Sequence, residues 1–122
     1  MAKPTLTIII PAYQVGDTLA KCVNSVASQD FQSWQAIIVD DGSPDNTPQI
    51  ADYLASQDSR IITVHKANGG LSDARNYALD ILFDKTTIDI SLPLGITDYV
   101  TFIDSDDYIL PGTLSPLMED LA

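Results

Sequence analysis

Two groups of aspartates stand directly after apolar, β-branched runs. Asp40-Asp41-Gly42 follows Ala36 to Val39, and Asp104-Ser105-Asp106-Asp107 follows Tyr99 to Ile103. Asp104 and Asp106 lie two positions apart where an extended segment becomes a turn, so both carboxylates can reach one ion. Carboxylate oxygens suit a hard divalent cation, Mn2+ or Mg2+, which completes its shell with water and substrate phosphates. Such a cation bridges two phosphates and, as a Lewis acid, stabilises a departing diphosphate. Five aspartates gathered at two such ends repel one another unless compensated, and a bound cation is the simplest compensation. A solvated acidic turn is the other reading, and Asp-x-Asp alone does not separate the two.

The surrounding charge narrows the partners. Seventeen acidic and six basic residues in 122 give a formal net charge of -11. That surface repels nucleic acid and anionic lipid, so no nucleic-acid partner is expected. Exposed charges are screened beyond about 8 Å at physiological salt, so a phosphate ligand needs a cation of its own at the site. The apolar run ending at Ile10 is too short for a membrane span, and Met1-Ala2-Lys3-Pro4 lacks a signal peptide's pattern. We expect a cytoplasmic chain without a membrane span. Cys22 is the single cysteine, which excludes an internal disulfide and a thiolate zinc centre. Its spacing with Leu19, Val23 and Val26 is that of a buried helix face.

The elements that must position the aspartates are legible from the hydrophobic pattern. Leu6 to Ile10 reads as a buried strand stopped by Pro11, followed by a helix from Asp17, its N-cap, to Ser28. Ala36 to Val39 is a second strand. Thr47-Pro48 offers an N-cap and a first-turn proline to a helix whose apolar side is Ile50, Tyr53 and Leu54. Ile61 to Val64 is a third strand, Ala74, Tyr77, Ala78, Ile81 and Leu82 mark a third helix, and Tyr99 to Ile103 is a fourth strand. Leu114, Leu117, Met118 and Leu121 carry a terminal helix that looks cut off near its end. Strands alternating with helices predict an α/β fold with right-handed crossovers and a parallel sheet. Ligands of such sheets bind outside the carboxyl ends of the strands, where strand order reverses. Both aspartate groups fall at that edge. The segment from Asp84 to Thr97 breaks the alternation and reads as a long, mobile loop.

Four blocks in order then resemble the family 2 glycosyltransferases. They are Ile8-Ile9-Ile10-Pro11-Ala12-Tyr13, Val39-Asp40-Asp41-Gly42-Ser43 with Asp45 and Thr47, Asn68-Gly69-Gly70-Leu71-Ser72 with Ala74-Arg75-Asn76, and Phe102-Ile103-Asp104-Ser105-Asp106-Asp107. They cover nearly the whole chain. The resemblance implies a parallel-sheet, Rossmann-like GT-A nucleotide-binding half over residues 1–122, truncated before the acceptor-binding part. It implies transfer of a sugar from a nucleoside-diphosphate donor, UDP-linked, with inversion, to a glycan or lipid-linked acceptor, as in polysaccharide biosynthesis. Residues matching Pro11 and Tyr13 line the nucleoside pocket. The one matching Asp41 accepts a hydrogen bond from the base, and Asp40 supports that loop. Arg75 falls near the diphosphate, where a guanidinium suits phosphate geometry. Asp104 matches the carboxylate near ribose and metal, Asp106 the direct metal ligand, and Ser105 between them joins the donor pocket. No catalytic base is assigned.

Plainer roles stay open at this stage. Tyr13 can cap the sheet edge, Asp40 and Asp41 can be turn formers before Gly42, and Arg75 can pair with Asp73 or another acid. His65 has no partner pattern and reads as structural, and Asn68-Gly69-Gly70 reads first as a turn. Gln14 stands where the family usually has asparagine. The 84–97 loop is a departure from close relatives and reads as an insertion. Aspartyl-phosphate phosphatases place their Asp-x-Asp after the first strand, not the fourth, and no Gly-x-Gly-x-x-Gly supports a dinucleotide dehydrogenase. The non-enzyme alternative is a donor-binding module, because an inverting transfer needs a base for the acceptor proton and only Glu119 and Asp120 follow Asp107. A truncated end with unpartnered apolar residues is also expected to self-associate.

Overall fold

The computed structural model describes residues 4–84 and 90–121. Its elements are β1 (Leu6–Ala12), α1 (Leu19–Ala27), β2 (Trp34–Asp40), α2 (Thr47–Gln57), β3 (Ile61–His65), α3 (Leu71–Phe83), β4 (Tyr99–Phe102) and α4 (Leu114–Leu121). The four strands form one parallel sheet in the order β3-β2-β1-β4. The chain steps outward from β1 to β3, then returns past β1 to lay β4 on its other side. That reversal makes the gap between the carboxyl ends of β1 and β4 the ligand crevice of this sheet. Among the described residues, no helix is long and apolar enough to cross a membrane.

The reversal also sorts the helices between two faces. Ile8 and Ile10 of β1, with Ala36 and Ile38 of β2, pack against Leu19, Cys22, Val23 and Val26 of α1, Ala51 and Leu54 of α2, and Leu114 and Met118 of α4. On the opposite face Ile9, Ile37, Val39 and Val64 meet Ala74, Ala78 and Ile81 of α3. β1 and β2 are buried along their whole length, as their unbroken apolar runs require. Each fully buried aliphatic side chain contributes about 1.5–3 kcal/mol, so this two-sided core fixes where the strand ends lie.

Several local expectations are corrected. β1 does not stop before Pro11 but pairs on through Pro11↔Val39 and Ala12↔Asp40. Ile103 N donates to Ile9 O and Asp41 N to Ala12 O, so odd positions of β1 face β4 and even ones face β2. Pro11 faces β4, whose pairing ends at Ile9↔Phe102, so its missing N–H removes only the next rung on that side and leaves the β2 ladder intact. The α1 N-cap is Thr18 rather than Asp17, and the α2 N-cap is Asn46 rather than Thr47. Thr47 is instead buried, its hydroxyl accepting from Val15 N at 2.9 Å. Tyr53, placed on the apolar side of α2 by its spacing, is 63% exposed, and Ala51 takes its place in the core.

Of the 84–97 segment, residues 85–89 lie outside the described residues, and the remainder is anchored. Ile90 and Leu92 pack against the α3-side core, which supplies the apolar face that the sequence pattern did not show. Buried Gln35 accepts from Leu94 N at 2.8 Å and donates to Gly95 O at 2.8 Å and to Thr7 Oγ1 at 3.0 Å, while the Thr7 hydroxyl also pairs with that of buried Thr97. The start of the α3-side sheet face is therefore covered by this segment. A polar strand residue provides its hydrogen bonds.

Candidate functional site

At the switch point lies a cleft of about 510 Å³ lined by Pro11, Ala12, Tyr13 and Val15 after β1, Asp41 after β2, Asn68, Gly70, Leu71 and Ala74 around the start of α3, and Asp104, Ser105 and Asp106 after β4. The volume suits a small-molecule ligand. Six of the eight residues singled out from sequence thus meet in one hollow. Asp40 and Arg75 do not line it. Asp40 stands behind Asp41, and Arg75 at the rim on Asp104.

The β2 end is built as a closed network. Asp40 is 3% exposed; its Oδ1 accepts from Ser43 N at 3.1 Å across Gly42, so it also serves the turn-forming role left open for it. Its Oδ2 pairs with His65 Nδ1 at 2.8 Å, and His65 Nε2 reaches Asp52 Oδ1 at 2.8 Å. A carboxylate on each ring nitrogen favours the protonated ring, in which both nitrogens donate, and the Asp40 hydrogen bond leads in raising the His65 pKa above its ordinary 6.5. His65 therefore ties β2, β3 and α2 together. Gly42 adopts φ +70°, and a Cβ there would stand 2.6 Å from Asn68 N, so the loop after β2 and the loop after β3 meet backbone to backbone.

Asp41 is the centre of that meeting. Its Oδ1 accepts from Lys66 Nζ at 2.8 Å and Gly69 N at 3.0 Å, and its Oδ2 from Gly70 N at 2.9 Å and Asn68 Nδ2 at 3.3 Å. Those four donors fill the acceptor sites of one carboxylate. Burial alone would raise its pKa, but the Lys66 ammonium and the Gly70 and Gly69 amides outweigh that and hold it below the ordinary 3.8.

The β4 end is open. Asp104, Asp106 and Asp107 are exposed and can bring one oxygen each within 4.8 Å of the others. Oxygens on opposite sides of one hard cation stand about 4–5 Å apart, so three carboxylates in this arrangement fit Mg2+ or Mn2+. Asp107 joins the two ligands expected from sequence. The turn itself is held from α1, where Thr18 Oγ1 donates to Ser105 O at 3.1 Å and Cys22 Sγ to Asp104 O at 3.7 Å. Positions i and i+4 of one helix face thus grip two successive carbonyls. Burial, with the charges of Asp107, Asp106 and Asp104, pushes the Cys22 thiol up to about 12, so it is a donor and not a nucleophile.

Arg75 resolves one open alternative. Asp73 is taken by Lys66, and Arg75 Nη2 lies 3.3 Å from Asp104 Oδ1, with its guanidinium 5.3 Å from the Phe102 ring centre. Its Nε is buried without a hydrogen-bond partner. Sequence reasoning missed Lys66, Thr18 and Asp107 in these roles. Asp107 was signalled by adjacency to Asp106, whereas Lys66 reaches Asp41 across 25 positions and Thr18 reaches Ser105 across 87, with no local pattern to show either.

The comparisons with known proteins agree with this geometry. The family model for glycosyl transferase family 2 matches residues 7–122. The uncharacterized glycosyltransferase EpsJ of Bacillus subtilis is 33% identical over 117 residues, covering 96% of this chain and 30% of EpsJ. A GalNAc(5)-diNAcBac-PP-undecaprenol beta-1,3-glucosyltransferase of Campylobacter jejuni is 31% identical, covering 95% of this chain and 34% of its own length. Among solved structures, S. aureus TarS 1-349 in complex with UDP superposes with a TM-score of 0.74 at 27% identity, over 94% of this chain and 31% of that one. The chain spans about a third of the length of these relatives. Its α/β fold with a four-stranded parallel sheet matches the Rossmann-like part of GT-A glycosyltransferases, and the chain belongs to glycosyl transferase family 2.

Proposed function

We propose that this chain forms the donor site of an inverting glycosyltransferase, binding a UDP-linked sugar with a divalent cation. One observation carries the reading: nucleoside-facing residues Pro11, Tyr13 and Asp41 and the acidic turn Asp104-Ser105-Asp106 line a single cleft at the sheet's switch point. Tyr13, 45% exposed, offers a ring face to a base, and Pro11 an apolar wall. Asp41 can accept from uracil N3–H if the base takes the place of its longest partner, Asn68 at 3.3 Å. At the opposite wall Asp104, Asp106 and Asp107 would hold the cation, which when bound neutralises the diphosphate and eases its departure. Arg75, 3.3 Å from Asp104 at the rim, is placed to meet a phosphate oxygen. The UDP bound to TarS supports a nucleotide donor, and the Campylobacter relative, a GalNAc(5)-diNAcBac-PP-undecaprenol beta-1,3-glucosyltransferase, is in keeping with a glycan or lipid-linked acceptor.

The same cleft supports the donor-module alternative for these residues alone. Glu119 lines a separate hollow with Pro4, Asp30 and Phe31, not the cleft, and the cleft carboxylates have base-binding or metal-binding roles. An acceptor base must come from elsewhere on this reading. Titration of the chain with UDP, CDP, GDP and ADP in Mn2+ tests the donor site. A clear preference for UDP is expected, and no binding of any nucleoside diphosphate would overturn it.

A further inference from the structure

Resting on that donor-site reading, we infer that Lys66 is a positioning residue for the nucleoside end of the cleft, acting through Asp41 and the 68–70 turn. Lysine ordinarily keeps its ammonium in water, yet the Lys66 side chain is only 10% exposed. Its three donors have three acceptors: Asp41 Oδ1 at 2.8 Å, the Asp73 carboxylate, and Ala67 O at 2.6 Å. Its own backbone N–H donates to Asp40 O at 3.0 Å, extending the β2–β3 ladder by one step. Lys66 therefore joins the end of β2, the loop after β3 and the first turn of α3. Those are the segments that contribute Asp41, Asn68, Gly70 and Leu71 to the cleft wall.

Gly69 shows how close this joint is. A Cβ at Gly69 would meet Asp73 Oδ2 at 2.3 Å and Lys66 Nζ at 3.1 Å, so the Lys66–Asp73 bridge lies directly on the glycine. With Lys66 and Gly69 both on Oδ1, the Asp41 carboxylate is oriented so that Oδ2 is the oxygen with the longer, replaceable partner, Asn68. Asn68 has a second bond, at 3.0 Å to Asp41 O, to keep its place when the base arrives. Charged groups near Asp41 include Lys66 and Asp73 on this side, Asp40 beside it, and Asp104 and Asp106 across the cleft. A carboxylate fixed in this way accepts from uracil N3–H, whereas cytosine presents an unprotonated N3. Lys66 thus acts on base preference without touching the base.

The test is calorimetric titration of the unsubstituted full chain, K66M and K66R with UDP, CDP and GDP in Mn2+, with thermal unfolding as a control for folding. We expect K66M to bind UDP about tenfold or more weakly, the scale of one lost charge-assisted hydrogen bond, and to lose its preference for UDP over CDP. K66R, which keeps the charge but not the compact three-way fit, should fall between the two. Unchanged UDP affinity and preference in both variants would overturn the inference, as would an equal loss for all three nucleotides. Should K66M not fold, K66R decides alone: a reduced UDP-to-CDP ratio supports the role and an unaltered ratio overturns it. Failure of the unsubstituted chain to bind any nucleotide would overturn the donor-site reading, and this inference with it.

Discussion

Asp41 and Asp106 look into one cleft from opposite ends of the same sheet edge, and their surroundings are opposite. Asp41 is buried, and four donors from within the chain surround its carboxylate. Asp106 is exposed in a cluster of three acids whose described ion pair is the 3.3 Å contact of Arg75 with Asp104. Burying a carboxylate costs free energy that only pre-placed donors offset, so Asp41 is part of the architecture. Leaving three carboxylates in water costs little, and their mutual repulsion is what a bound cation would relieve. One residue type at one edge thus stands in two settings, one closed by donors from within the chain and one open to solvent.

Substitutions that exchange the two situations should give the largest effects. Asp41→Ala leaves Lys66 and the Gly69 and Gly70 amides without their acceptor, and we expect it to cost about 3 kcal/mol of stability, the scale of breaking a buried ion pair from one side. Chemical denaturation measures this, and a loss under about 0.5 kcal/mol, the range of ordinary surface substitutions, would show that Asp41 is not structural. Asp106→Asn should leave the unfolding midpoint where it is while weakening UDP binding in Mn2+ about tenfold or more. A variant that unfolds, or that binds as before, would erase the distinction between the two ends.

A smaller effect sharpens the architectural side through pH. The folded pKa of His65 is raised, so its pairs with Asp40 and Asp52 contribute stability that is fully present below the ordinary 6.5 and lost as pH rises through the raised value. The unfolding temperature should therefore fall across neutral to mildly alkaline pH, and His65→Gln should flatten that slope. Because His65 is 42% exposed, screening keeps the effect modest. The smallest expected effect is at Gln14, the non-glycine residue found at positive φ, +52°, beside Tyr13. Asparagine tolerates that left-handed conformation better, so Gln14→Asn should stabilise the chain by up to about 1 kcal/mol in thermal unfolding.

The sequence pattern carries the parallel sheet, the helices and the edge where the acids gather, because continuous apolar runs and 3.6-residue spacing are local signals. It does not carry Gln35, whose value lies in catching Leu94 and Gly95 some sixty positions later and so pinning a segment read as loose. Nor does it show that Thr18 donates to the acidic turn instead of capping α1 through its side chain. Proline at position 11 stops a strand by local rules, and only the pairing partners show that its missing N–H faces β4 and not β2, where the ladder runs on. The two aspartate groups are equally visible in sequence. Their difference is not, since Lys66, Asn68, Gly69 and Gly70 reach Asp41 only once β3 lies beside β2.

On the proposed reading the open acidic end holds a cation for the diphosphate while the closed end does not. This is tested most directly by titrating UDP into the chain by calorimetry in Mn2+ and again in a chelator. Binding that is strong with the metal and at least tenfold weaker in chelator is the result this account requires. Equal affinity in both would contradict it, leaving Asp104, Asp106 and Asp107 a solvated turn.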